Sequence, residues 1–146
     1  MNTQWRKPIQ LIVVATNDAE AEAIRRACLH GGLNCEVTHF LQATEALSAL
    51  QGPLGRSLLL KPYLILLDLD FSGDAGIAFL DSLRADPLLR RSIVFALSDS
   101  ARDEDKAAAY DRRVAGYLVK SGLNSDYSTL CELLDVYEKS IQFPLG

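Results

Sequence analysis

The chain has 146 residues, of which 49% are hydrophobic and 23% are charged, so its size and composition predict one globular domain with one core. Its formal net charge of -4 argues against a general nucleic-acid-binding surface. No apolar stretch approaches the roughly 20 residues that span a bilayer, and the three cysteines lack metal-type spacing. We expect a cytoplasmic protein with reduced thiols, and a single domain over 1–146 with its core at about 10–140 and a tail at 141–146.

The predicted elements alternate between strands and helices along the chain. Continuous apolar runs indicate three strands that are covered on both faces, at residues 11–15, 63–67 and 93–97. Two weaker strand patterns lie around residues 34–39 and 115–119. Helical patterns lie at 17–30, 44–50, 76–85, 100–109 and after 123. We expect the first helix to open with a capping box from Asn17 to Glu20, and the segment 51–62 to be a surface loop.

This alternation determines where the polar residues at the strand ends should meet. Five strands alternating with five helices predict an α/β fold with a doubly wound parallel sheet and right-handed crossovers. In such a sheet the ligand site lies beyond the carboxyl ends of the strands. Asp68 follows the third strand, Ser98 the fourth and Lys120 the fifth. The topology therefore predicts that these three side chains converge in one cleft.

An acid, a hydroxyl and an amine in one cleft are suited to phosphoryl transfer. The Asp68 carboxylate can act as a nucleophile toward a phosphoryl group. Lys120 supplies a cation for the phosphoryl oxygens and Ser98 can hydrogen-bond one of them, while a bound magnesium would normally supply the remaining positive charge. The structural alternative is that Asp68 caps the turn after its strand and only pairs with Lys120.

The motifs around these residues resemble the response-regulator receiver domains of two-component signalling, over about residues 10–140. The segment 62–70 is similar to the phosphoacceptor strand of that family, and this similarity places the acceptor at Asp68. Gly73 and Gly76 match glycines of the loop that follows. The resemblance implies a flavodoxin-like receiver fold with strand order 2-1-3-4-5, and a signalling protein rather than an enzyme.

The same resemblance assigns the two later motifs. Ser98 matches the hydroxyl residue that reports phosphorylation in the family. The segment 116–120 matches the final strand, with Tyr117 at the aromatic switch position and Lys120 as the lysine of the site.

The resemblance also implies a Mg²⁺ site, for which Asp68 and the backbone carbonyl at Asp70 would be ligands. Family members usually add two adjacent acids after the first strand, but this chain has Ala15 and Thr16 there, and neither offers a carboxylate. Asp18 follows closely and is a candidate substitute ligand, although helix capping is the simpler role for it. Because Mg²⁺ requires oxygen ligands in near-octahedral geometry, we expect it to bind weakly or not at all, and phosphorylation to be slowed.

Further departures from the family lie close to the site. Ser72 stands where proline is usual, Ala75 where Asp is common, and Ser121 where a proline follows the lysine. A non-proline cis bond costs about 2.5–4 kcal/mol, so we expect the Lys120–Ser121 bond to be trans. Loss of the acid pair removes like-charge repulsion, so the pKa of Asp68 should be less elevated than it would be with the pair.

The last residues of the chain indicate which proteins it binds. The apolar segment 141–146 is weakly similar to the tails of receivers that partner phytochrome-type kinases, where such tails can reach across a dimer. The resemblance therefore implies a sensor histidine kinase as partner, with the phytochrome type as the specific candidate, and a homodimer. No room remains after residue 146 for an output domain, so we expect signalling through the face of the fourth and fifth helices with the fifth strand. We expect no nucleic-acid or membrane partner.

Three hypotheses on function stay open. The first is a stand-alone response regulator that is phosphorylated on Asp68. The second is a pseudo-receiver, a binding module that works without phosphorylation, which Ala15 and Thr16 favour. The third is a phosphatase of the haloacid-dehalogenase type, because Asp68 and Asp70 after a strand resemble its nucleophile and acid–base pair; the chain lacks the later acidic cluster that those enzymes need.

Overall fold

A computed structural model describes residues 8–58, 61–70 and 73–144, and in them strands and helices alternate as predicted. The strands are β1 (Ile9–Val14), β2 (Cys35–Phe40), β3 (Tyr63–Asp68), β4 (Val94–Ser98) and β5 (Gly116–Val119). The helices are α1 (Asp18–His30), α2 (Ala43–Gln51), α3 (Pro53–Leu58), α4 (Ala75–Ala85), α5 (Asp103–Asp111) and α6 (Ser128–Ser140). A short 3-10 turn covers Lys120–Gly122.

The strands form one parallel sheet in the order β2-β1-β3-β4-β5, which confirms the predicted doubly wound topology. Every residue of β1 and β4 is buried, and only the last residue of β3 is partly exposed. The edge strands β2 and β5 are mostly half-buried, which explains their weaker apolar patterns. The continuous apolar runs therefore identified the strands that are covered on both faces.

Each face of the sheet carries its own core. On one face, Ile12 and Ile65 lie in a cluster with Leu80 of α4. On the other, Leu11 lies in a cluster with Ile24 of α1 and with residues of α6. Burial of each large aliphatic side chain contributes about 1.5–3 kcal/mol, so these clusters hold both helical layers against the sheet.

The structure corrects the predicted surface loop at 51–62, because α3 lies within it and the helices number six in the described residues rather than five. Pro53 is the first residue of α3, where the missing proline N–H costs no helical hydrogen bond. Gly55 lets this helix approach α2 closely, since a Cβ at that position would lie 1.8 Å from the Leu50 carbonyl oxygen. Proline and glycine here permit a helix where the sequence pattern predicted a loop.

The predicted capping box of α1 is only half formed. The Asn17 side chain accepts hydrogen bonds from the backbone N–H groups of Ala19 and Glu20, at 2.8 and 3.2 Å. The Glu20 carboxylate forms its hydrogen bonds elsewhere, with Lys120 and Tyr127. The helix start is therefore as predicted, but Glu20 is free for another role.

The described part of the tail packs against its own domain. The ring of Phe143 lies 6.4 Å from that of Tyr137, and Tyr137 lies 5.0 Å from Phe95, both in edge-to-face arrangements. Leu145 and Gly146, which complete the predicted tail, lie outside the described residues. Across the ranges that the structure describes, no helix has the length and apolar character needed to cross a membrane.

Candidate functional site

The three strand-end residues of the sequence analysis meet in one cleft of about 390 Å³. Asp68 is the last residue of β3 and Ser98 the last of β4, while Lys120 directly follows β5. The Nζ atom of Lys120 lies 3.0 Å from Oδ2 of Asp68 and donates a hydrogen bond to it. Parallel pairing of the strands thus brings acid, hydroxyl and amine to the same edge of the sheet.

A fourth residue of the cleft, Glu20, escaped the sequence analysis. Its Oε2 atom lies 2.9 Å from Lys120 Nζ, and the Tyr127 hydroxyl donates to the same oxygen at 2.6 Å. The Glu20 side chain is only 9% exposed. Glu20 lies one helical turn before the buried Ile24, so its place on the inner stripe of α1 was the available signal.

Lys120 is therefore shared between two carboxylates. Burial opposes the charge on its amine, but hydrogen bonds to Glu20 and Asp68 outweigh burial and raise the pKa of Lys120. Burial also disfavours the ionised form of Glu20, yet the hydrogen bonds from Tyr127 and Lys120 lower its pKa overall. Both groups are ionised at neutral pH as a result.

Asp68 differs from Glu20, because its pKa is raised and not lowered. Burial raises its pKa to about 6, against the hydrogen bond from Lys120, and the neighbouring Glu20 charge adds to the rise. The uncharged Ala15 and Thr16 remove two negative charges that the family usually has near this carboxylate. Glu20 brings a negative charge back to the cleft, so relief of like-charge repulsion is incomplete.

Ser98 and Tyr117 are connected through Ser100. The Ser98 side chain is buried, and its Oγ accepts a hydrogen bond from the Ser100 backbone N–H at 3.0 Å, which leaves the Ser98 proton for another partner. The Tyr117 hydroxyl donates to the Ser100 carbonyl oxygen at 2.9 Å. The loop between β4 and α5 therefore contacts both residues that the family resemblance marks as switches.

The positions of the usual acid pair carry no carboxylate, and Asp18 does not replace it in this arrangement. Asp18 is 84% exposed, and its Oδ1 lies 3.6 Å from Nδ1 of His39. His39 in turn donates from Nε2 to the Ala15 carbonyl oxygen at 2.7 Å. The side chains of Ala15 and Thr16 bring no charge to this edge of the sheet.

The donors in the cleft do not fit a resident Mg²⁺. Glu20 is already bound to a cation and a hydroxyl, and Asp68 is bound to Lys120. Asp70 lines the cleft, where its carbonyl group was predicted to be a ligand. Within residues 8–58, 61–70 and 73–144, no group of three or more His, Cys, Asp or Glu side chains has the arrangement of a metal site.

The loop after Asp68 and the bond after Lys120 were also singled out by sequence. A Cβ at Gly76 would lie 2.6 Å from Leu69 Cδ2, so glycine permits the start of α4 to pack against the end of β3. Gly73 has open space, and Ser72 lies outside the described residues. No peptide bond among the described residues is cis, which confirms the expectation for Lys120–Ser121.

Comparison with known proteins gives a partial match in sequence. No family model matches the chain. A segment of 61 residues, 42% of this chain, is 44% identical to the nitrate/nitrite response regulator protein NarL of Escherichia coli. The match spans only 27% of that protein's length.

Solved structures match nearly the whole chain. A response regulator receiver domain from Rhodospirillum rubrum is 23% identical, with a TM-score of 0.79 and coverage of 94% of this chain and 98% of that one. The phosphorylated cyanobacterial phytochrome response regulator RcpA is 27% identical, with a TM-score of 0.78 and coverage of 95% and 99%. The Mn²⁺-bound form of response regulator Rcp1 is 23% identical, with a TM-score of 0.76 and coverage of 94% and 99%. These neighbours are response regulators or their receiver domains, and the present chain has the same receiver fold over nearly its whole length, as its motifs predict.

Proposed function

We propose that the chain is a response regulator in which Asp68 accepts a phosphoryl group from a sensor histidine kinase. The observation that supports this proposal is the 3.0 Å contact between Lys120 Nζ and Asp68 Oδ2 in a cleft that Ser98 also lines. In the transfer, the phosphorus–nitrogen bond of a phosphohistidine breaks and a phosphorus–oxygen bond to Asp68 forms. The histidine of the donor retains the electron pair and takes up a proton.

Lys120 and Ser98 would hold the transferred group. The raised pKa of Lys120 keeps its amine positively charged beside the phosphoryl oxygens, where negative charge accumulates during transfer. The Ser98 hydroxyl can donate its proton to one of those oxygens. Because Ser98 and Tyr117 are both hydrogen-bonded to Ser100, a shift of Ser98 toward the phosphoryl group would be transmitted to Tyr117.

The charge balance of the cleft makes this acceptor slow. Four acids line it together with one lysine: Glu20, Asp68, Asp70 and Asp99 beside Lys120. Phosphoryl donors are anions, and one shared amine offsets little of this negative charge. Mg²⁺ would supply the missing charge in the family, but here it binds weakly or is lost, since the usual acid pair is absent.

The partner assignments follow from the relatives. RcpA is a phytochrome response regulator, and its likeness to this chain over 95% of the residues supports a phytochrome-type histidine kinase as the donor. The homodimer remains part of the proposal. The ring of Phe143 packs edge-to-face on that of Tyr137 in α6, and we place the second copy next to this part of the tail.

A second candidate function is the pseudo-receiver, which binds a partner without being phosphorylated. One observation favours it specifically. The Glu20 carboxylate occupies the side of the cleft next to Lys120, and Tyr127 fixes it there. An acid held permanently on the site lysine could keep the domain in one state.

Intact-mass measurement separates the two candidates. The wild-type chain and Asp68→Ala are incubated with acetyl phosphate or phosphoramidate, with and without Mg²⁺. The phosphoacceptor proposal predicts the mass gain of one phosphoryl group in the wild type and none in Asp68→Ala. Hydroxylamine should remove the added mass, because an acyl phosphate is labile to it.

The remaining outcomes are equally informative. No mass gain with any donor, in the presence or absence of Mg²⁺, would establish the pseudo-receiver instead. A mass gain that persists in Asp68→Ala would place the acceptor at another residue. Turnover of a phosphomonoester with Mg²⁺ would support the phosphatase hypothesis.

A further inference from the structure

The connection between β5 and α6 is bound at both of its ends by one side chain of α1. Lys120 begins this connection, and Tyr127 ends it as the N-cap residue of α6. The Glu20 carboxylate oxygens lie 3.2 and 2.9 Å from Lys120 Nζ, and the nearer one accepts the 2.6 Å hydrogen bond from the Tyr127 hydroxyl. Residues 124–126 between the two ends are exposed. A change at Lys120 can therefore reach the start of α6 through a single carboxylate.

Tyr127 has a backbone conformation that an aromatic residue rarely adopts, with φ 60° and ψ 22° in the left-handed region. Its carbonyl oxygen accepts a hydrogen bond from the Cys131 N–H in the first turn of α6, at 3.1 Å. Strained residues of this kind persist where their surroundings hold them. Here the half-buried ring packs against the core and the hydroxyl binds Glu20. Loss of the Glu20 bond would therefore weaken the first turn of α6.

The three donors of the Lys120 ammonium group are matched by three carboxylate oxygens. An ammonium group carries three N–H donors. The two oxygens of Glu20 and Oδ2 of Asp68 all lie within 3.2 Å of Nζ. A phosphoryl oxygen can therefore bind Lys120 only in place of one of these three.

Charge selects the contact that is given up. A carboxylate carries one negative charge, whereas a phosphoryl group carries about 1.5–2 near pH 7. Transfer to Asp68 would add negative charge around an ammonium group that also serves Glu20. The Glu20 side chain is only 9% exposed, and a buried carboxylate that loses its cation is strongly destabilised. Glu20 would then move away from Lys120, and the same movement would break its bond to Tyr127.

We propose that Glu20 transmits phosphoryl acceptance at Asp68 to the start of α6, an inference that rests on the proposed phosphoacceptor function. In the unmodified chain, Glu20 holds Lys120 and Tyr127 together. In the phosphorylated chain, Lys120 binds the phosphoryl group, Glu20 is released, and Tyr127 loosens together with the first turn of α6.

This route reaches a different face of the sheet from the connection between Ser98 and Tyr117. Tyr117 packs against the core that contains Leu80 of α4, whereas Tyr127 packs against the core that α1 and α6 cover. Coupling of this kind is reciprocal. A partner that holds Tyr127 away from Glu20 would therefore favour phosphoryl acceptance.

Residue-resolved hydrogen exchange of the full-length chain, with and without beryllofluoride, tests the coupling. Fluorine resonances of the bound adduct, which should be absent in Asp68→Ala, show how much of the chain carries this phosphoryl mimic. We expect the Cys131 amide, which donates to the Tyr127 carbonyl, to exchange about fivefold faster with the adduct. The matched control is the Ala46 amide, which donates over the same 3.1 Å distance to the Gln42 carbonyl at the start of α2 and should not change.

The outcomes separate this inference from the phosphoacceptor function. An adduct without faster exchange at Cys131, or with an equal increase at Ala46, overturns the coupling and leaves the acceptor function in place. Absence of the adduct contradicts the acceptor function, and the coupling falls with it.

Tyr127→Phe tests the same coupling from its other end. The variant has no hydroxyl bond to break when Glu20 moves, so we expect phosphorylation by acetyl phosphate, with release of acetate, to be about threefold faster than in the wild type. In the Glu20→Gln background the same substitution should have no effect, because the carboxylate through which it acts is gone.

Tyr137→Phe is the control for this variant, since it removes a hydroxyl from the same helix on a ring that packs on Phe95. Its phosphorylation rate should equal that of the wild type. An unchanged or slower rate in Tyr127→Phe, or an acceleration that persists together with Glu20→Gln, overturns the proposal.

Discussion

The two sides of the candidate cleft differ in how far they keep the receiver pattern. On the side of β3, β4 and β5, Asp68, Ser98 and Lys120 all stand where the family resemblance places them. On the side of β1 and α1, uncharged Ala15 and Thr16 replace the acid pair, and the acid that lies in the cleft is Glu20, from the first turn of the helix. The side of β3, β4 and β5 supplies the carboxylate, hydroxyl and amine that phosphoryl transfer to an aspartate would use. On the side of β1 and α1, Glu20 provides a second carboxylate for Lys120.

The contrast shows that Lys120 is paired with an acid on the α1 side although Ala15 and Thr16 carry no carboxylate. An ammonium group that is 18% exposed and next to a single carboxylate of raised pKa would lose part of its charge compensation. Glu20 provides that compensation, because its own pKa is lowered. Substitutions that each remove one member of this arrangement separate the contributions of the two sides.

Lys120→Met breaks the part of the cleft that matches the family most closely. It removes the one positive charge among the described cleft-lining residues and leaves Asp68 and Glu20 close together without a cation. We expect acceptance of a phosphoryl group to fall about 100-fold, equivalent to about 2.7 kcal/mol. Intact mass over time with phosphoramidate measures this, with Lys139→Met as the control because Lys139 is exposed and pairs with Asp135 of its own helix. An unchanged rate would show that Lys120 does not assist transfer.

Glu20→Gln changes the α1 side of the cleft, where the chain departs from the family pattern. It keeps a side chain that can hydrogen-bond but removes a negative charge beside both Asp68 and Lys120. We expect phosphorylation by acetyl phosphate to become about fivefold faster, because an anionic donor is repelled less and the amine is no longer shared.

The matched control for this variant is Asp18→Asn, an exposed acid two residues earlier on the same helix. Its phosphorylation rate should equal that of the wild type. A slower rate in Glu20→Gln would mean that Glu20 assists the transfer instead of restraining it.

Asp68→Asn tests the raised pKa. A carboxyl group whose pKa is about 6 in the fold and near 3.8 in the unfolded chain binds more protons when folded, so stability falls as pH rises from about 4 to 6. The neutral amide lacks this penalty. We expect Asp68→Asn to be more stable than the wild type by roughly 1 kcal/mol at pH 7, after allowance for partial solvent exposure, with no such gain near pH 4. Urea unfolding at both pH values checks the sign; equal gains at both would indicate another cause.

Tyr127→Phe makes the smallest change, since it removes a single hydroxyl from Glu20. We expect a loss of about 1 kcal/mol in the free energy of unfolding, the usual net value of an intramolecular hydrogen bond, because Glu20 keeps its bond to Lys120 in the variant. Tyr110→Phe is the comparison, because the Tyr110 hydroxyl accepts a weaker 3.2 Å hydrogen bond from the Tyr117 backbone N–H. A larger loss in the comparison variant would mean that the Tyr127 bond adds little.

Sequence reasoning predicted most of the fold because the central strands are covered on both faces and carry uninterrupted apolar runs. It missed α3 because Pro53 and Gly55 usually mark loops, and only the close approach to Leu50 explains why they occur in a helix. Asp68, Ser98 and Lys120 were predictable because topology alone brings strand ends together.

Glu20 was not predictable in the same way. In sequence, a glutamate three residues after Asn17 fits a capping box, and the local pattern accounts for it fully. Its actual partners, Lys120 and Tyr127, are 100 and 107 residues away.

The most direct test of the central claim is a structure of the chain treated with beryllofluoride, whose beryllium and fluorines stand in for the phosphoryl group. The account predicts that beryllium is bonded to Asp68, with fluorines in hydrogen-bonding reach of Lys120 Nζ and Ser98 Oγ. An Asp68 without the adduct, while Lys120 stays paired with Glu20, would contradict the phosphoacceptor function.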